Sequence, residues 1–279
     1  MANRMDLRVA VNAVSDVIQN RPLPLREFDQ IYMKAGDMVM QSEYIARRFD
    51  GKDLLFVGDG DAISLCIAYM KARSVFTYGP ARIQLIDFDE RIVNAVNRFA
   101  DQERIGELIS ARLYNCIDAL PADLMGQFDA FYTNPPWGAS NDGESVKVFT
   151  ERGIEGLRST GEGVIVIADD PKVDWTGHVL RETQSFAMSK NFYVQEMQSQ
   201  VHLYHLDDAP DLRSCNLFIR ACAGRSTVAK SYELHGARLE NFYGKAQQLR
   251  VKYVRERSRV DYGKAPSETY DIELLKGDE

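Results

Sequence analysis

An apolar run at residues 54–57 leads directly into a Gly-Asp-Gly-Asp turn at residues 58–61, and this junction limits the fold most strongly. Residues 62–73 then have the composition of a helix. A strand, a glycine-rich turn and a helix in that order form the first unit of a doubly wound α/β fold. Glycine permits the sharp turn and lets a ligand come close to the backbone.

Further apolar runs repeat this pattern along the chain. Each is followed by an acidic residue, an asparagine or a helix, and the predicted strands are residues 83–86, 109–114, 128–133 and 164–168. Residues 191–204 and 215–221 are rich in β-forming residues and predict a closing antiparallel strand pair. We therefore predict an α/β fold with a Rossmann-like, doubly wound, mostly parallel sheet, and ligands at the carboxyl ends of its strands.

The predicted elements divide the chain into three parts. Residues 1–50 form an N-terminal helical segment, with amphipathic or mixed helical patterns at 7–18 and 36–48, that packs on the catalytic domain. Residues 51–223 form the Rossmann-like catalytic domain. Residues 224–279 are a basic C-terminal extension.

Bulk properties exclude several classes of protein. The chain has 279 residues and a net charge of −7, so any nucleic-acid footprint must be local. No apolar run approaches the roughly 20 residues that span a bilayer, and the N-terminus lacks a signal-peptide pattern. Four scattered cysteines without a Cys-x-x-Cys pair predict no metal site, no disulfide framework and a cytoplasmic location. His202 and His205 lack a metal motif and are predicted to be structural or surface groups.

Acidic residues mark the predicted strand ends. The turn at residues 58–61 carries two carboxylates and no lysine, which favours a sulfonium or amine over a phosphate. Asp87 ends the second strand, where an acidic side chain accepts hydrogen bonds from ribose hydroxyls. Asp89 is predicted to cap the following helix. Asp118 can meet an adenine amino group, with a simple turn aspartate as the alternative.

A second junction lies where the predicted strand 128–133 meets Asn134-Pro135-Pro136-Trp137. The prolines prevent the strand from continuing, which fixes Asn134 at its end. The carbonyl oxygens of the Asn134 side chain and the Pro135 backbone are two acceptors that can hold an NH2 group. Trp137 offers a flat face on which a base can stack. We predict that these four residues are catalytic; the alternative is a tight turn anchored by tryptophan.

The C-terminal extension contains a basic segment at residues 245–264. Lysines and arginines alternate there with two tyrosines. Such a segment predicts contact with nucleic-acid phosphates. A solvated helix face is an equally good interpretation of the same pattern.

The glycine turn, the acidic second strand and Asn134-Pro135-Pro136-Trp137-Gly138 together resemble the class I S-adenosylmethionine-dependent amino-methyltransferases. Asn141 and Gly143 strengthen the similarity to the branch that modifies adenine in rRNA. The resemblance implies that Asn134 and Pro135 bind the target amine and that S-adenosylmethionine is the cofactor. The predicted cofactor-binding residues are Gly58, Asp59, Gly60, Asp61, Asp87, Phe88 and Asp118.

A second resemblance extends from Arg21 to about Ala221. The chain is similar to the catalytic domain of the bis(aminopropyl)spermidine synthases, which use decarboxylated S-adenosylmethionine. The similar stretches are Arg21-Pro22, Phe28-Asp29-Gln30, Gly51-Lys52, Gly58-Asp59, Asp87-Phe88-Asp89-Glu90-Arg91 and Arg152-Gly153-Ile154-Glu155. This sequence departs from the family at two acidic positions. Gly60 replaces an aspartate of the family's Gly-Asp-Asp-Asp turn, and Asn134 replaces the aspartate of its Asp-Pro-Pro motif.

Because the carboxylates expected to hold a polyamine are altered, the sequence favours methyl transfer on a shared scaffold. The predicted function is methylation of an amino nitrogen, foremost adenine N6 in nucleic acid. Two alternatives stay open: an aminopropyltransferase that acts on a polyamine, and a non-catalytic protein that binds a cofactor or a partner. A homo-dimer is left open as well.

Overall fold

The computed structural model describes residues 5–244, 251–258 and 270–275. The strands of the main sheet are β1 (Asp53–Val57), β2 (Arg82–Asp87), β3 (Ile109–Leu113), β4 (Phe128–Thr133), β5 (Leu157–Ala168), β6 (Phe192–Leu203) and β7 (Arg213–Ala221). The helices are α1 (Leu7–Asn20), α2 (Ala35–Arg48), α3 (Ile63–Ala72), α4 (Glu90–Glu103), α5 (Glu144–Gly156) and α6 (Asp174–Ser189). No helix in these described ranges is long and apolar enough to cross a membrane.

The seven strands form one sheet in the order β3-β2-β1-β4-β5-β7-β6. The pairs from β3 to β5 are all parallel, and β7 runs antiparallel to both β5 and β6. This arrangement confirms the predicted Rossmann-like fold and its closing antiparallel pair. Strand β5 starts at Leu157, seven residues before the predicted start. The prediction missed its first part because residues 158–160 are exposed and lack an apolar pattern.

Apolar side chains cover both faces of the sheet. Buried residues of α1 and α2, such as Val14 and Ile45, share one core with Phe56 on β1. On the other face, Phe131 packs in a core that includes Phe242 and other residues beyond β7. Both flanking parts of the chain therefore contribute to the cores of the central sheet, and both can position residues at its strand ends.

The C-terminal part adds a small antiparallel pair, β8 (Val251–Glu256) and β9 (Tyr270–Leu274). Val254 donates its backbone N–H to the Phe88 carbonyl at 3.2 Å, which ties β8 to the end of β2. Of the basic segment 245–264, only residues 251–258 lie among the described residues, and six of these form a strand rather than the solvated helix considered above. The remaining positions lie outside the described residues.

The described cations of this segment are paired with carboxylates. The ion pairs are Lys252–Asp118, Arg255–Glu90, Arg255–Glu273 and Arg257–Asp271. Because each positive charge already faces a carboxylate, the described part of the segment presents little free positive charge to a phosphate backbone.

Two helical glycines allow a matched test of packing. A Cβ at Gly153 of α5 would lie 2.4 Å from the Phe131 ring, whereas a Cβ at Gly177 of α6 meets nothing within 4 Å. We expect Gly153→Ala to lower the free energy of unfolding by about 1–3 kcal/mol through overpacking. Gly177→Ala should raise it by roughly 0.5–1 kcal/mol, since alanine is the better helix former. Urea unfolding of both variants measures the difference, and equal effects would contradict the tight α5–β4 contact.

Candidate active site

The carboxyl ends of β1, β2 and β4 open into one cavity of about 320 Å³. The cavity is the place where a doubly wound sheet binds ligands, because the helices diverge there. It brings together ten of the eleven residues predicted for the site, which are Gly58, Asp59, Gly60, Asp61, Asp87, Phe88, Asn134, Pro135, Pro136 and Trp137.

Asp87 joins the ends of β1 and β2. Its two carboxylate oxygens accept backbone N–H groups from Asp59 at 3.1 Å and from Asp89 at 2.9 Å. Burial, with a further contribution from the charge of Asp89, raises the pKa of Asp87 to about 7. Asp89 in turn caps α4 by accepting the Arg91 backbone N–H at 3.0 Å, which confirms the predicted cap.

Asp59 occupies the turn itself and caps α3. Its carboxylate accepts the backbone N–H groups of Ile63 at 3.0 Å and Ser64 at 2.7 Å. Burial raises the pKa of Asp59 to about 7 despite these bonds. Asp59 and Asp87 thus form a pair of buried carboxyls that both titrate near neutral pH.

Asp61 connects three distant parts of the chain. One carboxylate oxygen accepts the Met33 backbone N–H, and the other accepts the Asn134 side-chain N–H, both at 2.6 Å. Arg21 donates to the Asp61 backbone carbonyl at 2.7 Å, and its guanidinium lies 4.0 Å from the centre of the Tyr32 ring. Burial raises the pKa of Asp61, and the charge of Arg21 opposes that shift.

Asn134 is oriented by this contact. Because its amide nitrogen donates to Asp61, its carbonyl oxygen is the end available to accept a hydrogen bond from a ligand. Trp137 is only 9% exposed and meets the Tyr204 ring edge to face, at 5.0 Å between centroids. It forms part of the cavity wall and already packs against Tyr204.

Asp118 is the one predicted residue that does not line the cavity. Its carboxylate accepts from the Lys252 side chain at 2.6 Å, and its backbone carbonyl accepts the Tyr114 hydroxyl at 2.8 Å. Lys252 reaches this carboxylate from β8, and no local pattern in the sequence indicates that contact. Cys116, two residues earlier, lines the cavity instead.

Several aromatic wall residues carry no recognisable sequence signal. Tyr32, Tyr204 and Tyr243 come from loops or a strand end, and Trp175 comes from the first turn of α6; none belongs to a predicted motif. Tyr243 stacks on Phe88 with 4.0 Å between centroids and 21° between planes. The aromatic spacing in the sequence does not reveal these contacts, because each one joins segments far apart in the chain.

The cavity is strongly acidic. Among the described residues that line it are five aspartates and a single arginine, namely Asp29, Asp59, Asp61, Asp87, Asp208 and Arg26. Arg26 itself lies 3.5 Å from Asp208 in an exposed pair. Within the described ranges, no three His, Cys, Asp or Glu side chains are grouped so that they could hold a metal ion. The charge of an empty cavity is therefore negative, and it matches a cationic ligand.

Residues 10–271 match the sequence model of the family described as the branched-chain polyamine synthase A C-terminal domain. The chain belongs to this family. The match runs through both flanking parts as well as the central sheet. It also agrees with the second resemblance drawn from the sequence.

Individual relatives support the same grouping. An uncharacterized protein of Methanocaldococcus jannaschii is 26% identical over 77% of the chain and 50% of its own length. The N(4)-bis(aminopropyl)spermidine synthase of Thermococcus kodakarensis is 29% identical over 52% of the chain and 39% of its own length. The chain thus spans half or less of the length of these curated relatives.

A solved structure shares the fold. The branched-chain polyamine synthase from Thermus thermophilus, in complex with N4-aminopropylspermidine and 5′-methylthioadenosine, superposes with a TM-score of 0.66 at 20% identity. The superposition covers 81% of the chain and 67% of that structure.

These findings correct the predicted function. The prediction of adenine N6 methylation in nucleic acid is wrong, because the family and the named synthases concern branched polyamines. The prediction gave too much weight to the Asn-Pro-Pro-Trp motif and to the altered acidic positions. In the structure Asn134 bonds to a carboxylate of the glycine turn, and aspartates from other loops keep the cavity acidic.

The buried carboxyls predict a pH dependence of stability. Asp59 and Asp87 hold protons more tightly in the folded protein than in the unfolded chain, where their pKa is the ordinary value of 3.8. The free energy of unfolding should therefore fall as the pH rises through 7. His202, whose pKa is lowered from 6.5 to about 4 by burial, acts in the opposite sense only below pH 6.5. Between this pH of 6.5 and about 8 we expect the two carboxyls together to lower the free energy of unfolding by about 1.5 kcal/mol.

Urea unfolding at several pH values measures this slope. Asp87→Asn should reduce the slope by about half, because asparagine has the same size and does not titrate, whereas Asp59 still does. The exposed Asp101→Asn serves as the control and should keep the wild-type slope. A slope that is flat or rising in the wild-type protein would contradict the assignment of raised pKa values.

Proposed function

We propose that this chain transfers an aminopropyl group from decarboxylated S-adenosylmethionine to an amine of a polyamine. The observation that carries the proposal is the charge of the cavity, whose described lining includes five aspartates and one arginine. A polyamine and the decarboxylated sulfonium are both cationic, so each gains from this negative potential.

The same charge discriminates between the two sulfonium compounds. S-adenosylmethionine carries a carboxylate on its amino-acid end, and decarboxylated S-adenosylmethionine lacks it. A second carboxylate beside Asp59, Asp61 and Asp87 would be repelled at close range. Among the described lining residues Arg26 is the one arginine, and it is paired with Asp208. Arg21 does not line the cavity and already donates to the Asp61 backbone carbonyl. The electrostatics therefore favour the decarboxylated compound.

The proposed reaction needs only displacement at carbon. The amine lone pair attacks the aminopropyl carbon that is bonded to sulfur, and a C–N bond forms as the C–S bond breaks. Sulfur keeps the electron pair and leaves as neutral 5′-methylthioadenosine, and the amine loses one proton. Most of the rate should come from alignment of the amine with the C–S bond.

An aliphatic amine differs from an adenine amino group in one respect. It is protonated near neutral pH and must lose a proton before it can attack. Carboxyls with raised pKa values are suited to accept that proton. Asp61 is the best placed, because its bond to Asn134 puts it beside the Asn-Pro-Pro turn. Asp59 and Asp87 each have both carboxylate oxygens on backbone N–H groups and are proposed to hold the nucleoside end. Asp61 has only one oxygen on a backbone N–H, that of Met33, and the other faces Asn134.

Mass spectrometry of products tests the proposal directly. The protein is offered S-adenosylmethionine and its decarboxylated form, each with spermidine. We expect an aminopropylated polyamine and 5′-methylthioadenosine from the decarboxylated compound alone. Methylated spermidine, or no product with either donor, would overturn the proposed reaction.

Asp61→Asn tests the proposed role of the carboxylate. Asparagine keeps the size but loses the charge and one hydrogen-bond acceptor. We expect kcat/KM for the polyamine to fall about 10- to 100-fold, the usual effect of losing a hydrogen bond to a charged group. The exposed Asp101→Asn removes the same charge far from the cavity and should leave kcat/KM near the wild-type value. Equal losses in both variants would assign the effect to net charge alone.

A further inference from the structure

A chain of buried polar groups runs from the sheet to the cavity wall. Tyr204 lines the cavity, and its hydroxyl lies 2.8 Å from the Ser214 hydroxyl. Ser214 lies 2.8 Å from Nδ1 of His202, and Nε2 of His202 lies 2.8 Å from the side-chain oxygen of Gln41. All four side chains are at most 3% exposed.

The donor and the acceptor of each of these hydrogen bonds follow from the end of the row that lies farthest from the cavity. At that end the Glu196 carboxylate accepts the Gln198 side-chain N–H at 2.8 Å, and the Gln198 oxygen accepts from the Asn216 amide nitrogen at 3.2 Å. The Asn216 oxygen therefore accepts from the Gln41 amide nitrogen at 2.7 Å, and the Gln41 oxygen faces His202. That oxygen only accepts, and therefore Nε2 of His202 carries the proton. A neutral imidazole has one N–H, which leaves Nδ1 as an acceptor. Burial keeps His202 neutral by lowering its pKa to about 4.

The same reasoning fixes the donors and acceptors between His202 and the cavity. Ser214 must donate its single proton to Nδ1 of His202, so toward Tyr204 it can only accept. Tyr204 therefore donates its proton to Ser214. Toward the cavity the Tyr204 hydroxyl offers lone pairs and no proton.

Tyr204 lines the same cavity as Asp61 and Asn134, the two residues of the proposed amine site. Burial and the charge of Asp61 raise the pKa of Tyr204, whereas a hydrogen bond with Asn134 lowers it. The hydroxyl thus shares its surroundings with the two groups that meet at the Asn-Pro-Pro turn. Tyr204 is held in place by the β-bridge between its residue and Met33, and its ring packs against Trp137.

We propose that Tyr204 is a specificity residue that accepts a hydrogen bond from an N–H of the bound amine. Ser214, His202 and Gln41 are positioning residues that fix the Tyr204 hydroxyl as an acceptor. The inference rests on the proposed function and adds to it, because it distinguishes an N–H-bearing amine from a cation without N–H groups. A negative cavity alone attracts both.

Calorimetry in the presence of 5′-methylthioadenosine tests this with two ligands. One is spermidine, and the other is its fully N-methylated quaternary analogue, which keeps the positive charges and has no N–H. Wild-type protein should prefer spermidine. Tyr204→Phe should reduce that preference roughly 10- to 100-fold, since phenylalanine keeps the ring and loses the acceptor. The ratio cancels the greater bulk of the analogue, because both proteins meet the same pair of ligands.

Tyr69→Phe is the matched control. Tyr69 is equally buried in the core, and its hydroxyl contacts Arg73 at 2.7 Å, away from the cavity. Its loss should leave the preference unchanged. Ser214→Ala leaves Tyr204 in place but frees its hydroxyl to rotate, so it should weaken the preference without abolishing binding of either ligand.

Nitrogen-15 NMR of the imidazole groups gives a readout that does not depend on binding or on the variants. We expect His202 to be neutral at pH 7 and protonated on Nε2. A proton on Nδ1 would reverse the chain of donors and overturn the inference. If wild-type protein binds spermidine and the quaternary analogue equally, or if Tyr204→Phe keeps the full preference, the inference fails and the proposed function stands. If wild-type protein binds neither ligand, both fail.

Discussion

The carboxylate of Asp87 is the interaction on which the site depends. It accepts the backbone N–H groups that follow β1 and β2, so it fixes two strand ends against each other. The cost is a charge buried at the base of the cavity, and a pKa near 7 expresses that cost. A cationic ligand offsets it. The geometry that holds the turn together and the affinity for a positive charge therefore have one origin.

Local patterns in the sequence were sufficient to predict the sheet and most of the cavity. The strands end at Gly58, Asp87 and Asn134 because glycine, an acidic cap and proline each stop a strand in a way that a short window reveals. Parallel strands then bring those ends together at one edge. Asp118 is the exception, because its partner Lys252 lies on a strand that no local pattern had placed beside it.

The error about function has a similar physical basis. In isolation, Asn134-Pro135-Pro136-Trp137 predicts an amide that holds a substrate amine. The contact between the Asn134 amide and Asp61 joins residues that are 73 positions apart, and it turns the motif into a support for a carboxylate. Tyr204 and Tyr243 are placed at the cavity by contacts with Met33 and Phe88, which are even farther away in the sequence. The aspartates of this cavity come from several loops, so its net charge is known only from the three-dimensional structure.

The close approach of Gly60 to Tyr32 links two positions that are distant in the sequence. A Cβ at Gly60 would lie 3.2 Å from the Tyr32 ring, and Arg21 already covers that ring. The aspartate that the family turn carries at this place therefore cannot enter this chain unless the ring moves. A side chain at position 60 therefore requires a smaller or displaced residue at position 32. The glycine of the turn and the ring beside it form one steric unit, although they lie in different parts of the chain.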